Sequence, residues 1–299
     1  MNQPSQQTLS SPSLLRTAVT CVLTIVALFA APAQTLAGSA APPDSASTSV
    51  PYHPFDTLKS DVLLIFTDAG RLFAKPAGFH ARDWYLVGGT VAGTAGLMGF
   101  ADDPLRETML SIQGTDGDAV ADIGNTFGEI LPGLALTGSL YTVGLVFNWP
   151  KIRVMGRHVG QSLGYSALVT TVLKSAFGRH RPFLNDGPFA FEGPFQFDDP
   201  FLSHPSGHTT VTFAIASSLA ADIDNPWATV GLYSLASVTA ISRMYSDRHW
   251  SSDVFLAAVL SSAIGYGTAN LDAASSDTSD ESAFFILPSP SGITVGYRW

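Results

Sequence analysis

Three short stretches in the second half of the chain hold cations, histidines and an aspartate at spacings that suit the binding of an anionic ligand such as phosphate. In the first, residues 174–182, Lys174 and Arg181 stand seven residues apart and Pro182 follows. Seven residues make two helical turns, so the spacing predicts that both cations point the same way from one helix, which Pro182 ends. By itself, the stretch is equally consistent with a solvated basic loop after a helix.

The second stretch, Pro205-Ser206-Gly207-His208, is predicted to open a helix. Free backbone N–H groups and the helix dipole attract an anion at such a position, and glycine lets the backbone approach it. Ser206 is expected to cap the helix and to donate to an oxyanion. His208 would stand beside that anion with a pKa in the working range. An ordinary helix start with a solvated histidine has the same pattern.

The third stretch contains Ser242, Arg243, His249 and Asp253. His249 and Asp253 are four residues apart, so their side chains should meet on a helix. A carboxylate on one ring nitrogen fixes the tautomer of an imidazole and leaves the other nitrogen free to attack. Taken alone, the spacing also fits a surface histidine–aspartate pair.

Together the three stretches resemble the signature of the type 2 phosphatidic acid phosphatase (PAP2) and vanadium haloperoxidase superfamily. The resemblance covers about residues 160–269 and implies a helical bundle with a phosphate site that uses no metal and no cofactor. The matching positions are Lys174, Arg181, Pro182, Pro205, Ser206, Gly207, His208, Ser242, Arg243, His249 and Asp253.

The resemblance also implies a role for each residue. His249 would attack phosphorus and form a phosphohistidine, Asp253 would orient His249, and His208 would protonate the leaving group and then activate water. The phosphate oxygens would be bound by Lys174, Arg181, Ser206, Gly207 and Arg243. A vanadate-dependent haloperoxidase with vanadate on His249 is the alternative, and an inactive structural protein of the cell envelope is a remote one. The close spacing of the motifs favours the phosphatase.

The composition of the chain restricts the classes of molecule that the protein is expected to bind. The formal net charge of -9 argues against a nucleic-acid partner, while 46% apolar and 13% charged residues allow a large core or contact with a membrane. Residues 130–185 contain no acid, and residues 151–181 contain six Lys and Arg, which predicts a positive field that suits an anionic ligand.

The elements that must position these residues are predicted to be mostly α-helical. About six apolar segments have helical length, at 84–100, 131–149, 160–177, 208–221, 227–242 and 252–269. Residues 284–287 and 292–299 flank a Pro-Ser-Pro-Ser turn and predict a short hairpin. The expected domains are a helical domain over 55–272 and a polar linker and tail over 273–299.

The N-terminal region predicts export. Residues 1–37 have the pattern of a signal peptide, with a basic residue, a short apolar run and a small-residue cleavage site, and a linker rich in Pro, Ser and Ala covers 38–54. We therefore expect a periplasmic or envelope location, either against a membrane surface or within it. Residues 183–201 contain six phenylalanines. They predict either an apolar lip for a lipid-linked phosphate ester or a packed loop.

Overall fold

The computed structural model describes residues 52–272 and the backbone of residues 283–289 and 292–298. Backbone contacts divide the chain into two units, Met1–Tyr52 and His53–Trp299, and all the elements below belong to the second. The predicted signal peptide and nearly all of the predicted linker lie outside the described residues.

The described part of the chain is mostly α-helical, as the sequence predicts. Its nine α-helices are α1 (Pro54–Ala74), α2 (Ala81–Phe100), α3 (Asp102–Ser111), α4 (Thr115–Phe127), α5 (Ile130–Val146), α6 (Pro150–Phe177), α7 (Gly207–Ile223), α8 (Pro226–Tyr245) and α9 (Ser251–Ala269). Short 3-10 turns occur at Lys75–Gly78, Pro182–Leu184 and Asp199–Phe201. Six of the nine helices, α2 and α5–α9, match the apolar segments found in the sequence.

Helices α1, α3 and α4 are absent from the sequence prediction because their apolar residues are interrupted by acids. Asp61 and Asp68 of α1 are buried, where basic side chains of α6 meet them. Asp116 and Asp118 occupy the first turn of α4. Acidic side chains are stabilised there by the positive end of the helix dipole.

Helix α6 corrects the prediction for the first motif. It begins at Pro150 rather than near residue 160, with proline in its first turn, where the missing N–H costs no hydrogen bond. It ends at Phe177, before Pro182, because Gly178 adopts a left-handed conformation with φ 58°. Lys174 therefore lies in the last helical turn, whereas Arg181 lies in the extended chain beyond it.

The centre of the bundle is the close packing of α7 against its neighbours. Phe213 and Ala216 of α7 form a buried cluster with Ala236 and Ala240 of α8 and Val254 of α9. At Gly265 of α9 the backbones approach so closely that a Cβ atom would lie 2.0 Å from Ser217 Oγ. Small residues thus hold the second halves of α7 and α9 close together, and the starts of both helices carry site residues.

The C-terminal strands β1 (Ala283–Ser289) and β2 (Gly292–Arg298) pair antiparallel, with Ser289 opposite Gly292. Among the described helices, α9 has the length and composition needed to cross a bilayer, and α4 with α5 qualifies as a pair bent by 51°. A buried core helix meets the same criterion.

Candidate active site

Lys174, at the end of α6, is the first cation of the site. Its ammonium group donates a hydrogen bond to the carbonyl of Leu202, and a Cβ atom built on Gly207 would lie 3.7 Å from Lys174 Cε. The first and second motifs are therefore in contact. Burial, and next the neighbouring Arg181, lower the pKa of Lys174 to about 7.

Arg181 is held by the loop that joins the first two motifs. Its Nε donates to the Asp199 carbonyl at 2.8 Å, and its Nη2 donates to Asp199 Oδ1 at 2.6 Å. The Asp199 side chain is 67% exposed, whereas that of Arg181 is 9% exposed. This pair fixes the guanidinium at the edge of the site without placing a second buried charge beside it.

Arg243, in the last turn of α8, is positioned by a residue outside the three motifs. Its Nη1 donates to Asn125 Oδ1 of α4 at 2.8 Å. Burial and then Arg181 and Arg248 lower the pKa of Arg243 to about 10. A neutral amide orients this cation without cancelling its charge, so its field remains available to an anion.

His208, in the first turn of α7, lies in the field of all three cations. Burial, followed by Arg243, Arg181 and Lys174, lowers its pKa to about 3. The corner between α4 and α5 packs behind it, since a Cβ atom on Gly128 would lie 2.6 Å from His208 Cβ. The imidazole of His208 is therefore neutral and lies among cations.

His249 precedes α9 rather than lying on it, yet it meets Asp253 as the spacing predicts. His249 Nδ1 is 3.5 Å from Asp253 Oδ2, at the outer limit of a hydrogen bond, and makes no shorter polar contact within the described residues. Burial lowers the pKa of His249 well below its usual value, and Lys174 and the two arginines add to this against the opposing effect of Asp253. The imidazole is thus neutral, with Nδ1 directed at the carboxylate.

Asp253 is the most heavily contacted group in the site. Its Oδ1 accepts from Arg179 Nη1 at 2.6 Å and lies 2.9 Å from His204 Nδ1, while its Oδ2 accepts from the Trp250 N–H at 2.9 Å and from the Ser203 hydroxyl. Burial alone would raise the pKa of Asp253. Arg179 and the two histidines outweigh burial and hold that pKa well below its usual value. The carboxylate is therefore ionised in the protein interior.

The second motif is joined to the third through its backbone. Ser206 is the N-cap of α7, but its side chain makes no capping hydrogen bond, contrary to the prediction. Its hydroxyl oxygen instead accepts from Thr209 Oγ1 at 3.0 Å, and its N–H donates to the Asp253 carbonyl at 3.1 Å. Ser206 and Gly207 thus lie directly beside the aspartate of the third motif.

The positive field predicted for residues 151–181 is divided between two places. Lys174 and Arg181 lie at the site, whereas Arg153 and Arg157 pair with Asp61 and Asp68 nearer the start of α6. The sequence alone does not show this because the acids that neutralise these arginines lie more than 80 positions away.

Several residues that shape the site were not identified from the sequence. Arg179 lies within the first motif, between Lys174 and Arg181, so its position in the sequence could have identified it. The others are Asp102, Asn125, Asp199, Ser203 and His204. Asp102 and Asn125 come from α3 and α4, which carry no recognisable motif.

Comparison with known proteins identifies similar sequences. The sequence profile described as "PAP2 superfamily" matches residues 156–276. A lipid A 1-phosphatase of Porphyromonas gingivalis is 29% identical over 168 residues, which are 55% of this chain and 33% of the relative. The match therefore spans about a third of the length of that curated relative.

Two solved structures also align with the chain. One is LpxE of Aquifex aeolicus, with 19% identity, a TM-score of 0.45 and coverage of 57% of this chain and 97% of that one. The other is a transmembrane PAP2-type phosphatidylglycerolphosphate phosphatase of Bacillus subtilis, with 19% identity, a TM-score of 0.47 and coverage of 66% and 98%.

The matched segment, residues 156–276, contains all three motifs and both histidines of the site. The resemblance that the motifs indicated is thereby confirmed. Over this segment the chain is similar to the PAP2 superfamily.

Proposed function

We propose that the protein is a metal-independent phosphatase that hydrolyses lipid-linked phosphomonoesters through a phosphohistidine on His249. One observation carries the proposal. The buried imidazole of His249 and the half-buried imidazole of His208 lie in the field of the same three cations, and an ionised carboxylate stands behind His249. Phosphoryl transfer requires mainly positioning and charge stabilisation, and this arrangement supplies both.

Substrate binding would begin with the cations. Burial is the largest cause of the lowered pKa values of Lys174, Arg181 and Arg243, and the charge of Arg181 lowers those of Lys174 and Arg243 further, so positive charges repel one another within the site. A phosphomonoester brings up to two negative charges and relieves this repulsion. The N–H groups at the start of α7, at Gly207, would complete the cradle around the oxygens.

In the first half of the reaction, His249 Nε2 attacks phosphorus and the bond from phosphorus to the leaving oxygen breaks. Nε2 is the attacking atom because Nδ1 faces Asp253. His208 gives its proton to the leaving alkoxide. Bound phosphate increases the affinity of His208 for this proton, because a nearby negative charge raises the pKa of the imidazole from about 3.

In the second half, water attacks the phosphohistidine and the bond from phosphorus to nitrogen breaks. His208, now neutral, takes a proton from the water, which is the usual exchange of acid and base roles. His249 leaves as an imidazole, and Asp253 stabilises the positive charge that this ring carries while it is phosphorylated. Inorganic phosphate is then released.

A lipid-linked substrate is supported by the surface around the site. In residues 183–201, Phe189, Phe195 and Phe197 are 65%, 81% and 77% exposed, so this segment resembles the predicted lip more than a packed loop. Farther from the site, Tyr85 and Leu86 near the start of α2 are also exposed, and residues 84–101 contain no charge. These surfaces suit contact with acyl chains in a membrane. The P. gingivalis relative is named for a lipid substrate. We extend the proposal to an exported enzyme of the cell envelope.

Phosphate release from three substrates tests the proposal: phosphatidic acid in vesicles, lipid A in mixed micelles, and soluble p-nitrophenyl phosphate. We expect turnover of a lipid ester, a preference for lipid over the soluble ester, and no turnover by His249→Ala. His80→Ala changes a histidine whose side chain is 92% exposed and serves as the control. Near-normal activity of His249→Ala would refute the mechanism, and a clear preference for the soluble ester would refute the lipid substrate.

A further inference from the structure

Asp102, at the start of α3, is a buried carboxylate with no place in the three motifs. It is 1% exposed and lies outside residues 156–276. Its Oδ1 accepts from Ser251 Oγ at 2.6 Å and from the Ser252 N–H at 2.9 Å, and its Oδ2 accepts from Ser252 Oγ at 2.6 Å. Asp102 thus caps the first turn of α9, the turn that carries Asp253.

A second path leads from Asp102 to Asp253 through Arg179. The Arg179 side chain is fully buried; its Nη2 donates to Asp102 Oδ2 at 2.8 Å and its Nη1 donates to Asp253 Oδ1 at 2.6 Å. Arg179 Nη1 also donates to Ser252 Oγ at 2.7 Å, which closes a ring of contacts. One guanidinium therefore joins two buried carboxylates.

From this ring we infer that Asp102 is a positioning residue for the nucleophile: through Arg179 and the Ser251–Ser252 turn it fixes Asp253 relative to His249. The inference rests on the proposed function of His249. It assigns a role in the site to a helix that precedes the matched family segment.

Charge balance explains why Asp253 needs this support. Arg179 with two carboxylates carries a net charge of minus one, so Asp253 keeps an excess of negative charge for the phosphorylated His249. Without the charge of Asp102, Arg179 would neutralise Asp253 and draw its Oδ1 toward the guanidinium. The contact between Asp253 and His249 is already long, at 3.5 Å, and would be the first to be lost.

The alternative role for Asp102 is to stabilise the fold alone. Removing one partner of a buried ion pair is costly, so a loss of stability is expected in either case. If Asp102 were purely structural, its substitution would lower the fraction of folded protein and leave the properties of each folded molecule unchanged. If Asp102 is a positioning residue, its substitution would change the orientation of the nucleophile in molecules that are folded.

The test compares Asp102→Asn with two matched variants. Asp103→Asn makes the same change one residue along, at an exposed side chain. Asp68→Asn makes it at a side chain that is 1% exposed and that pairs with Arg157 near the other end of α6. All are measured as folded, full-length protein, with the folded fraction determined by near-UV circular dichroism.

The first readout is turnover of p-nitrophenyl phosphate. For Asp102→Asn we expect kcat to fall by about 10- to 100-fold with KM within about twofold of wild type, since a small misplacement of a reacting group has effects of this size. Asp103→Asn and Asp68→Asn should keep the wild-type kcat per folded molecule. Equal kcat values for Asp102→Asn and Asp103→Asn would overturn the inference.

The second readout needs no turnover. Vanadate mimics the transition state and bonds to the nucleophilic nitrogen, whereas inorganic phosphate contacts mainly the cations. In calorimetric titrations of Asp102→Asn, the Kd for vanadate should rise about tenfold while the Kd for phosphate changes by less than about twofold, because only vanadate senses the orientation of His249. Equal shifts for both ions would contradict the inference even if the natural substrate is not among those tried.

Arg179→Lys is the second variant in case Asp102→Asn does not fold. A lysine keeps the charge but lacks the planar fork that binds both carboxylates. We expect the same selective loss of kcat and of vanadate affinity. Wild-type values for folded Arg179→Lys would overturn the inference. Wild-type and His249→Ala activities test the proposed function separately.

Discussion

At the scale of single residues, the negative charges of the site do not fully balance its cations. The pKa of Lys174 is lowered to about 7 and that of His208 to about 3, with burial as the largest cause in both cases. Near neutral pH Lys174 therefore holds its proton less tightly than it would in water, and His208 is neutral. An anionic ligand opposes both shifts, because a nearby negative charge favours the protonated form of each group.

This predicts that phosphate binding is coupled to proton uptake. At pH 7 to 8, Lys174 and His208 should gain protons as inorganic phosphate enters the site. Calorimetric titrations in two buffers of different ionisation enthalpy measure the number of protons directly. We expect net uptake for wild type and a smaller uptake for Lys174→Met. Net release of protons would contradict this prediction, because it would mean that carboxylates already balance the cations before phosphate binds.

Asn125 gives a second prediction at this scale. Its Oδ1 accepts from Arg243 Nη1 at 2.8 Å, and Asn125→Ala removes that acceptor while leaving the cation in place. A hydrogen bond to a charged group contributes about 1.5 kcal/mol, so kcat/KM should fall about tenfold. Asn270→Ala is the control, because its amide donates to the Tyr266 carbonyl at the far end of α9. Equal kcat/KM values for the two variants would show that Arg243 does not depend on Asn125.

At the scale of elements, the sequence predicts the helices that are apolar and misses those that are mixed. The start of α7 was predicted at the second motif because Pro205 and Ser206 mark a helix start locally, whereas His249 of the third motif was expected on a helix and instead precedes α9. The end of α6 was misplaced, because Gly178 stops the helix four residues before Pro182. The sequence does not show whether a glycine in an apolar helix packs against a neighbour or ends the helix.

The contributions of α3 and α4 to the site could not be predicted for a different reason. Asp102 and Asn125 act through contacts with residues more than 100 positions away. Neither lies in a pattern of its own, and each reaches the site because the bundle places its helix against α8 or α9. Only the three-dimensional packing contains this information.

The corner between α4 and α5 yields a prediction at this scale. Gly128 has φ -78°, so alanine fits its backbone, but a Cβ atom there would lie 2.6 Å from His208 Cβ and 2.7 Å from Thr239 Cγ2. Gly128→Ala should therefore displace His208 and lower kcat by about 10- to 100-fold.

Gly138→Ala on α5 is the matched control for this steric argument. A Cβ atom at Gly138 meets nothing within 4 Å, so the same substitution should leave kcat unchanged. Steady-state kinetics on folded protein compare the two variants. Wild-type kcat for Gly128→Ala would show that α7 can shift without harm to catalysis.

At the scale of the whole molecule, α6 connects two polar clusters. Lys174 lies at the active site, and Arg157 and His158 lie about 24 Å earlier along the same helix, at 1.5 Å per residue. There Arg157 pairs with Asp68 of α1 at 3.1 Å, and His158 Nδ1 lies 2.8 Å from Asp222 Oδ1 in the last turn of α7. This second cluster joins α1 to the segment of residues 156–276.

The second cluster should make stability depend on pH in a defined direction. Burial opposes the charge on His158, but hydrogen bonds to Asp222 and Asp272 outweigh burial and raise its pKa from 6.5 to about 9. The folded state therefore binds this proton more tightly than the unfolded state does. The resulting stability is fully present below about pH 6.5 and is lost as the pH rises through about 9.

Unfolding of wild type and His158→Gln at several pH values tests this. The difference in their unfolding free energies should be larger at pH 6 than at pH 9.5, by on the order of 3 kcal/mol. The depressed pKa of Lys174 acts in the opposite direction, but it is common to both proteins and cancels in the difference. His80→Gln, at an exposed histidine, should show no such dependence. A difference that stays constant from pH 6 to 9.5 would mean that His158 joins the helices as a neutral ring. In either case, His158→Gln should leave kcat at neutral pH unchanged, because the active site lies at the other end of α6.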